Sequence, residues 1–143
     1  MADKRRQQAV LARLQRVRTI ERRAALVAYA EAQSTHARLS GLAERSHLLA
    51  RDYAGQRAKG EASALQALLL MRAQLVGIAR EAQRMEQDAS HEADAAGHRF
   101  AAADHRLELV EQHLLAGAQR APLANADGLA RRLQSTGVSP RGR

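Results

Sequence analysis

Between residues 3 and 54 the apolar positions recur at spacings of mostly three and four. Val10, Leu14, Val17, Ala24 and Val27 form one run, with Ile20 and Glu21 flanking a break. Leu39, Leu42, Leu49 and Tyr53 continue it after an alanine-filled stretch. That period predicts one long amphipathic helix with discontinuities in its heptads, roughly 75 Å long at 1.5 Å per residue. Gly55 and Gly60 then break the pattern and predict a turn over 55–61. A second helix is expected over 62–119. Its clearest run is Phe100, Ala103, Leu107, Val110, Leu114 and Gly117, preceded by Leu75, Ile78, Ala82, Met85 and Ala89. The step through 85, 89 and 93 is a stutter in that repeat.

Heptads sustained over this length predict a coiled coil, and two helices of similar length joined by a short turn predict an antiparallel hairpin. The expected fold class is therefore all-α, a two-helix coiled-coil hairpin over residues 1–120, monomeric, with a flexible basic tail over 121–143. Pro122, Gly128, Gly137, Pro140 and Gly142 are the reason for ending the helix near 119. Folding about residues 57–58 sets Arg22 and Arg23 near Glu92 and Asp94, Arg13 and Arg16 near Asp104, Leu14 near Phe100, and Leu49 near Leu65. Most second-helix seam positions between Ala79 and Ala103 are alanine, which buries far less than the roughly 1.5–3 kcal/mol of a leucine. Close helix approach and modest stability are expected.

One stretch does not fit a single seam. From Leu65 to Ile78 the chain is its most apolar, and Leu69, Leu70 and Val76 lie off the stripe of Leu65, Leu68, Met71, Leu75 and Ile78. One partner helix covers one face, so this stretch has apolar surface for a further partner.

Composition narrows the function classes. Only 2% of the 143 residues are aromatic, with 2 Tyr, 1 Phe and no Trp, which disfavours a compact globular core. There is no Cys, which excludes disulfides and thiolate chemistry. The start, Met-Ala-Asp-Lys-Arg-Arg-Gln-Gln, has no apolar run after its charges, so no secretory signal is expected. No 18-residue run lacks charge, so no membrane span is expected, and the default address is the cytoplasm.

The net charge of +8 is uneven. Residues 1–60 hold 13 Lys and Arg against 5 acids, residues 61–120 hold 6 against 9, and the last 23 hold 4 against 1. A solvated basic face, a nucleic-acid surface and a site for an acidic protein all account for that bias. No aromatics interleave the N-terminal arginines, which disfavours specific nucleic-acid recognition.

Catalytic and metal chemistry lack the necessary spacing. His91, His98 and His105 are seven apart and His113 follows eight later, about 10.5 Å per step on a helix, too far to share a metal. Glu86, Asp88, Glu92 and Asp94 read as a charged helix surface, and no serine has a base and a glycine turn about it. The expectation is a non-enzyme without cofactor or metal.

In length, helix break and charge, residues 1 to about 120 resemble the flagellar type III export proteins of the FliJ family and their injectisome counterparts. That resemblance implies a cytoplasmic antiparallel coiled coil, peripherally associated with the export apparatus, that acts as a stalk and adaptor. It links the hexameric export ATPase to the membrane export gate, with export chaperones as further partners. The family's gate contacts fall here on Leu42, Ser46, Leu49 and Tyr53, with Met71, Leu75, Ile78 and Ala82. Leu69 joins them from the apolar stretch. Acidic loops of the ATPase ring would meet Arg5, Arg6, Arg13 and Arg16. Alternatives from the residues alone are a generic coiled-coil scaffold or regulator and a non-specific nucleic-acid binder.

Overall fold

The computed structural model describes residues 2–55 and 62–135, and all of them are helical. Helix α1 is Ala2–Gly55 and helix α2 is Ala62–Ser135. The expected turn over 55–61 begins on Gly55, the last residue of α1; its remainder, 56–61, and the end of the expected tail, 136–143, lie outside the described residues. By internal contacts the chain divides into two compact units: Met1–Arg22 with Ala103–Arg143 (the terminal unit), and Arg23–Ala102 (the central unit).

In the central unit the buried and half-buried positions follow an unbroken alternation of threes and fours. On α1 they include Ala25, Tyr29, Ala32, His36, Leu39, Ala43, Ser46, Ala50 and Tyr53. On α2 they include Leu68, Arg72, Leu75, Ala79, Ala82, Glu86, Ala89, Ala93, Ala96 and Phe100. The expected stripes differ from these. Val27, Leu42 and Leu49 on α1, and Ile78 and Met85 on α2, are exposed. The expected stripes followed the larger side chains, and so required a break at Ile20–Glu21 and a stutter at Met85. The observed stripes keep the 3.5-residue period throughout, by accepting alanine, serine, His36, Arg72 and Glu86 in place of bulk. Small side chains let two helix backbones approach, but they bury little; no large side chain is fully buried among the described residues.

Polar and aromatic contacts fix which residues meet. Tyr29 and Phe100 stack with ring centroids 6.2 Å apart and planes 8° from parallel. His36 Nε2 donates to Glu86 Oε1 at 2.7 Å, and Arg72 Nε donates to the Tyr53 carbonyl at 2.8 Å, a C-terminal carbonyl of α1. The register within the central unit differs from that expected by folding about residues 57–58: Phe100 stacks on Tyr29, and Glu92 bonds Arg99 of its own helix. Folding about the glycines took the helices to pair from the turn outward. Instead residues 62–67 are exposed throughout and Leu68 is the first half-buried position of α2.

In the terminal unit Leu11, Leu14, Gln15, Arg18 and Arg22 of α1 share burial with Ala103, Leu107, Val110, Leu114 and Gly117 of α2. Here α2 follows the expected stripe, whereas Val10 and Val17 of α1 are exposed. Arg22 Nε donates to Asp104 Oδ1 at 2.6 Å, taking the carboxylate expected near Arg13 and Arg16. Helix α2 also runs past its expected end at 119 to Ser135, so residues 121–135 are helical. The alanines, leucines and arginines around Gly128 are strong helix formers, and their summed propensity outweighs the breakers. Every described side chain from Ala118 to Gln134 is exposed.

Candidate partner-docking surfaces

The residues singled out from the sequence separate by burial. In the central unit Leu42, Leu49, Leu69, Met71 and Ile78 are exposed, whereas Leu75 and Tyr53 are half-buried in the contact stripes and Ala82 is buried. Ser46 is only 7% exposed, so its hydroxyl lies within the helix contact and not on a docking face. The surface a partner can reach gains residues instead: Leu48, Leu65, Leu70 and Val76 are all exposed. Leu65, Leu69 and Leu70 stand on the first turns of α2. They are bare because the last turn of α1 meets Arg72 rather than Leu65.

Helix α2 holds an 18-residue window of mean hydropathy 1.4 with at most two charges, long and apolar enough by composition to cross a membrane, and 6% of it is buried. The expectation of no such window rested on requiring no charge at all. The most apolar stretch does carry one, Arg72, whose guanidinium is bonded to the end of α1. A charge at the centre of a bilayer costs about 2.5–3.5 kcal/mol on insertion scales, and here the α1 contact would be lost as well.

Charge is concentrated in the terminal unit. Its segments hold 13 Lys and Arg against 6 acids, a net +7, and the central unit holds 10 against 9, a net +1. Arg5, Arg6, Arg13 and Arg16 are exposed, while Arg18 and Arg22 are drawn into ion pairs with Glu21 and Asp104. Four exposed guanidinium groups on about three turns of one helix face outward to attract an anionic surface.

Comparison with known proteins finds nothing. No family model matches the chain, and no curated protein or solved structure does either.

An open groove in the central unit is lined by Tyr29, Gln33, His36, Ser90, Asp94 and His98 among others. Two of its polar groups are already engaged: the Tyr29 hydroxyl accepts from Gln33 and His36 holds Glu86. His91, His98, His105 and His113 are exposed, and no group of three or more His, Cys, Asp or Glu fit to hold a metal occurs among the described residues. The sequence reading set Glu86 on a charged helix surface and passed over His36, because polar residues at seam positions read as interruptions of an apolar stripe; both are instead half-buried and paired.

Proposed function

We propose that the chain is a non-enzymatic stalk and adaptor of a type III protein export apparatus, joining a hexameric export ATPase to a membrane export gate. The observation that carries this reading is the separation of two recognition chemistries on one helical scaffold. The terminal unit holds +7 of the +8 net charge, and the central unit exposes leucines at Leu65, Leu69 and Leu70. The reading includes an antiparallel coiled-coil hairpin. Within the central unit, partners on α2 fall in number as those on α1 rise, from Tyr29 with Phe100 through His36 with Glu86 to Tyr53 with Arg72. In this reading Arg5, Arg6, Arg13 and Arg16 meet acidic loops of the ATPase ring. Electrostatic contacts of that kind tolerate rotation better than a locked apolar plug. The gate covers Leu42, Leu49, Leu69, Met71 and Ile78, and the protein is cytoplasmic and peripheral to the membrane.

The test is a pair of variants scored against both partners. Replacing the four arginines by Glu should abolish ATPase binding and spare gate binding; Leu69→Gln, Met71→Gln and Ile78→Gln together should do the reverse. Loss of the same interaction in both sets, or of none, contradicts the proposal. A second reading, non-specific binding of nucleic acid by the terminal unit, is favoured by its +7 charge. It requires duplex DNA binding that weakens log-linearly with salt and vanishes in the arginine variant.

A further inference from the structure

The terminal unit has an apolar feature that its charge obscures. On α1, Val10, Val17 and Ile20 are 60%, 50% and 66% exposed, although each is β-branched and apolar. At about 100° per residue they lie within roughly 80° of one another, on the side away from Leu11, Arg18 and Arg22. Arg6 and Arg13 complete the series, so positions 6, 10, 13, 17 and 20 step by four, three, four and three. That is the spacing of a coiled-coil seam, with β-branched knobs at its core positions. The same helix therefore presents two seams, one engaged by α2 and one bare.

We infer that this bare face of α1 docks an amphipathic helix whose apolar stripe is flanked by Asp or Glu. Charge decides the occupant. A second copy would set this surface of a +7 unit against its own image, arginine facing arginine. A nucleic acid would use the guanidinium groups and leave Val17 and Ile20 without a role. A lipid surface calls for a wide apolar face with large side chains, whereas this stripe is narrow and of Val and Ile. An acidic helix satisfies both chemistries: its leucines cover Val10, Val17 and Ile20, and its carboxylates reach Arg6, Arg13 and the bordering Arg16. The inference shares Arg6, Arg13 and Arg16 with the export proposal, which needs the arginines alone at this surface; the peptide test below reads Val17 and Ile20 without the export ATPase.

The test uses the full chain and a labelled designed peptide of about four heptads, with leucine at seam positions and glutamate at flanking ones. Fluorescence anisotropy should show binding that drops at least about tenfold with Val17→Gln and Ile20→Gln together, and again with Arg6→Gln and Arg13→Gln. A peptide with lysine for glutamate should not bind. Both variants alter exposed side chains, so circular dichroism should show unchanged helicity. Equal peptide binding by wild type and the Val17→Gln, Ile20→Gln variant overturns the inference. So does sedimentation showing a dimer that this variant dissolves, which would assign the face to a second copy. Anionic vesicles or duplex DNA binding wild type and variant alike, with no binding of the peptide, would overturn it too.

Discussion

Gly97 and Tyr29 offer a sharp test of how the central unit packs. A Cβ built at Gly97 would lie 3.1 Å from Tyr29 Cε2, and the ring is held in turn by its stack on Phe100 and by Gln33 at its hydroxyl. Gly77, on the same helix and in the same unit, has nothing within 4 Å of its built Cβ. Glycine inside a helix costs roughly 0.5–1 kcal/mol relative to alanine, so Gly77→Ala should stabilise by about that much. Gly97→Ala has the same propensity gain, but the tyrosine must leave its rotamer, at about 0.5–1.5 kcal/mol. The net effect should lie between about 0.5 kcal/mol stabilising and about 1 kcal/mol destabilising. Removing the ring restores the space. In a Tyr29→Ala background Gly97→Ala should again stabilise by about 0.5–1 kcal/mol, a coupling of about 1 kcal/mol between the sites. Tyr29→Ala itself should cost about 1.5–2.5 kcal/mol, roughly half the loss at a fully buried aromatic, because the ring is half-exposed. Urea unfolding followed by circular dichroism measures all four quantities. Equal stabilisation by Gly77→Ala and Gly97→Ala, with no coupling to Tyr29, would refute the packing described here.

Three further outcomes follow from the contacts. Ser46→Leu should destabilise by about 1–3 kcal/mol, because the site is buried between closely approaching helices; an unchanged melting temperature would place Ser46 on the surface after all. Asp104→Asn should cost under about 1 kcal/mol, since its pair with Arg22 is exposed, and the loss should shrink in high salt; a large, salt-independent loss would contradict an exposed pair. Leu69→Gln, Met71→Gln and Ile78→Gln, all at exposed positions, should leave the unfolding midpoint within about 0.5 kcal/mol of wild type, and a collapse in stability would mean that these side chains are core.

Fold class was legible because two long helices leave a period that survives even a thin seam, and Gly55 with Gly60 marks their separation. Seam residues were less legible. Val10, Val17, Val27, Leu42 and Leu49 outweigh Ala25, Ala32, Ala43 and Ser46 in hydrophobicity, yet the smaller set packs. Hydrophobic size reports where burial would be most favourable, whereas two helices in close approach select for continuity of period and for small volume. The unbroken three-four alternation through His36, Ala43, Glu86 and Ala89 is visible in the sequence once polar residues are allowed into it. Register is a separate matter: it depends on Tyr29, Gly97 and Phe100 fitting together, and neither periodicity nor turn position encodes that. The exposed leucines at Leu69 and Leu70 were found from the sequence because no single helix face could accommodate them. The end of α2 was missed because Pro122 and Gly128 are strong local signals set against a longer run of weak helix-forming ones.

The central claim is that one chain bridges an export ATPase ring and an export gate through separate surfaces. Mass photometry of the purified chain with the export ATPase and the cytoplasmic domain of the gate from the same organism tests it directly. The account predicts a ternary species of one hexamer, one chain and the gate domain, lost with either the four-arginine or the Leu69, Met71 and Ile78 variant. Competition between ATPase and gate for the chain, or no ternary species at any mixing ratio, would contradict it.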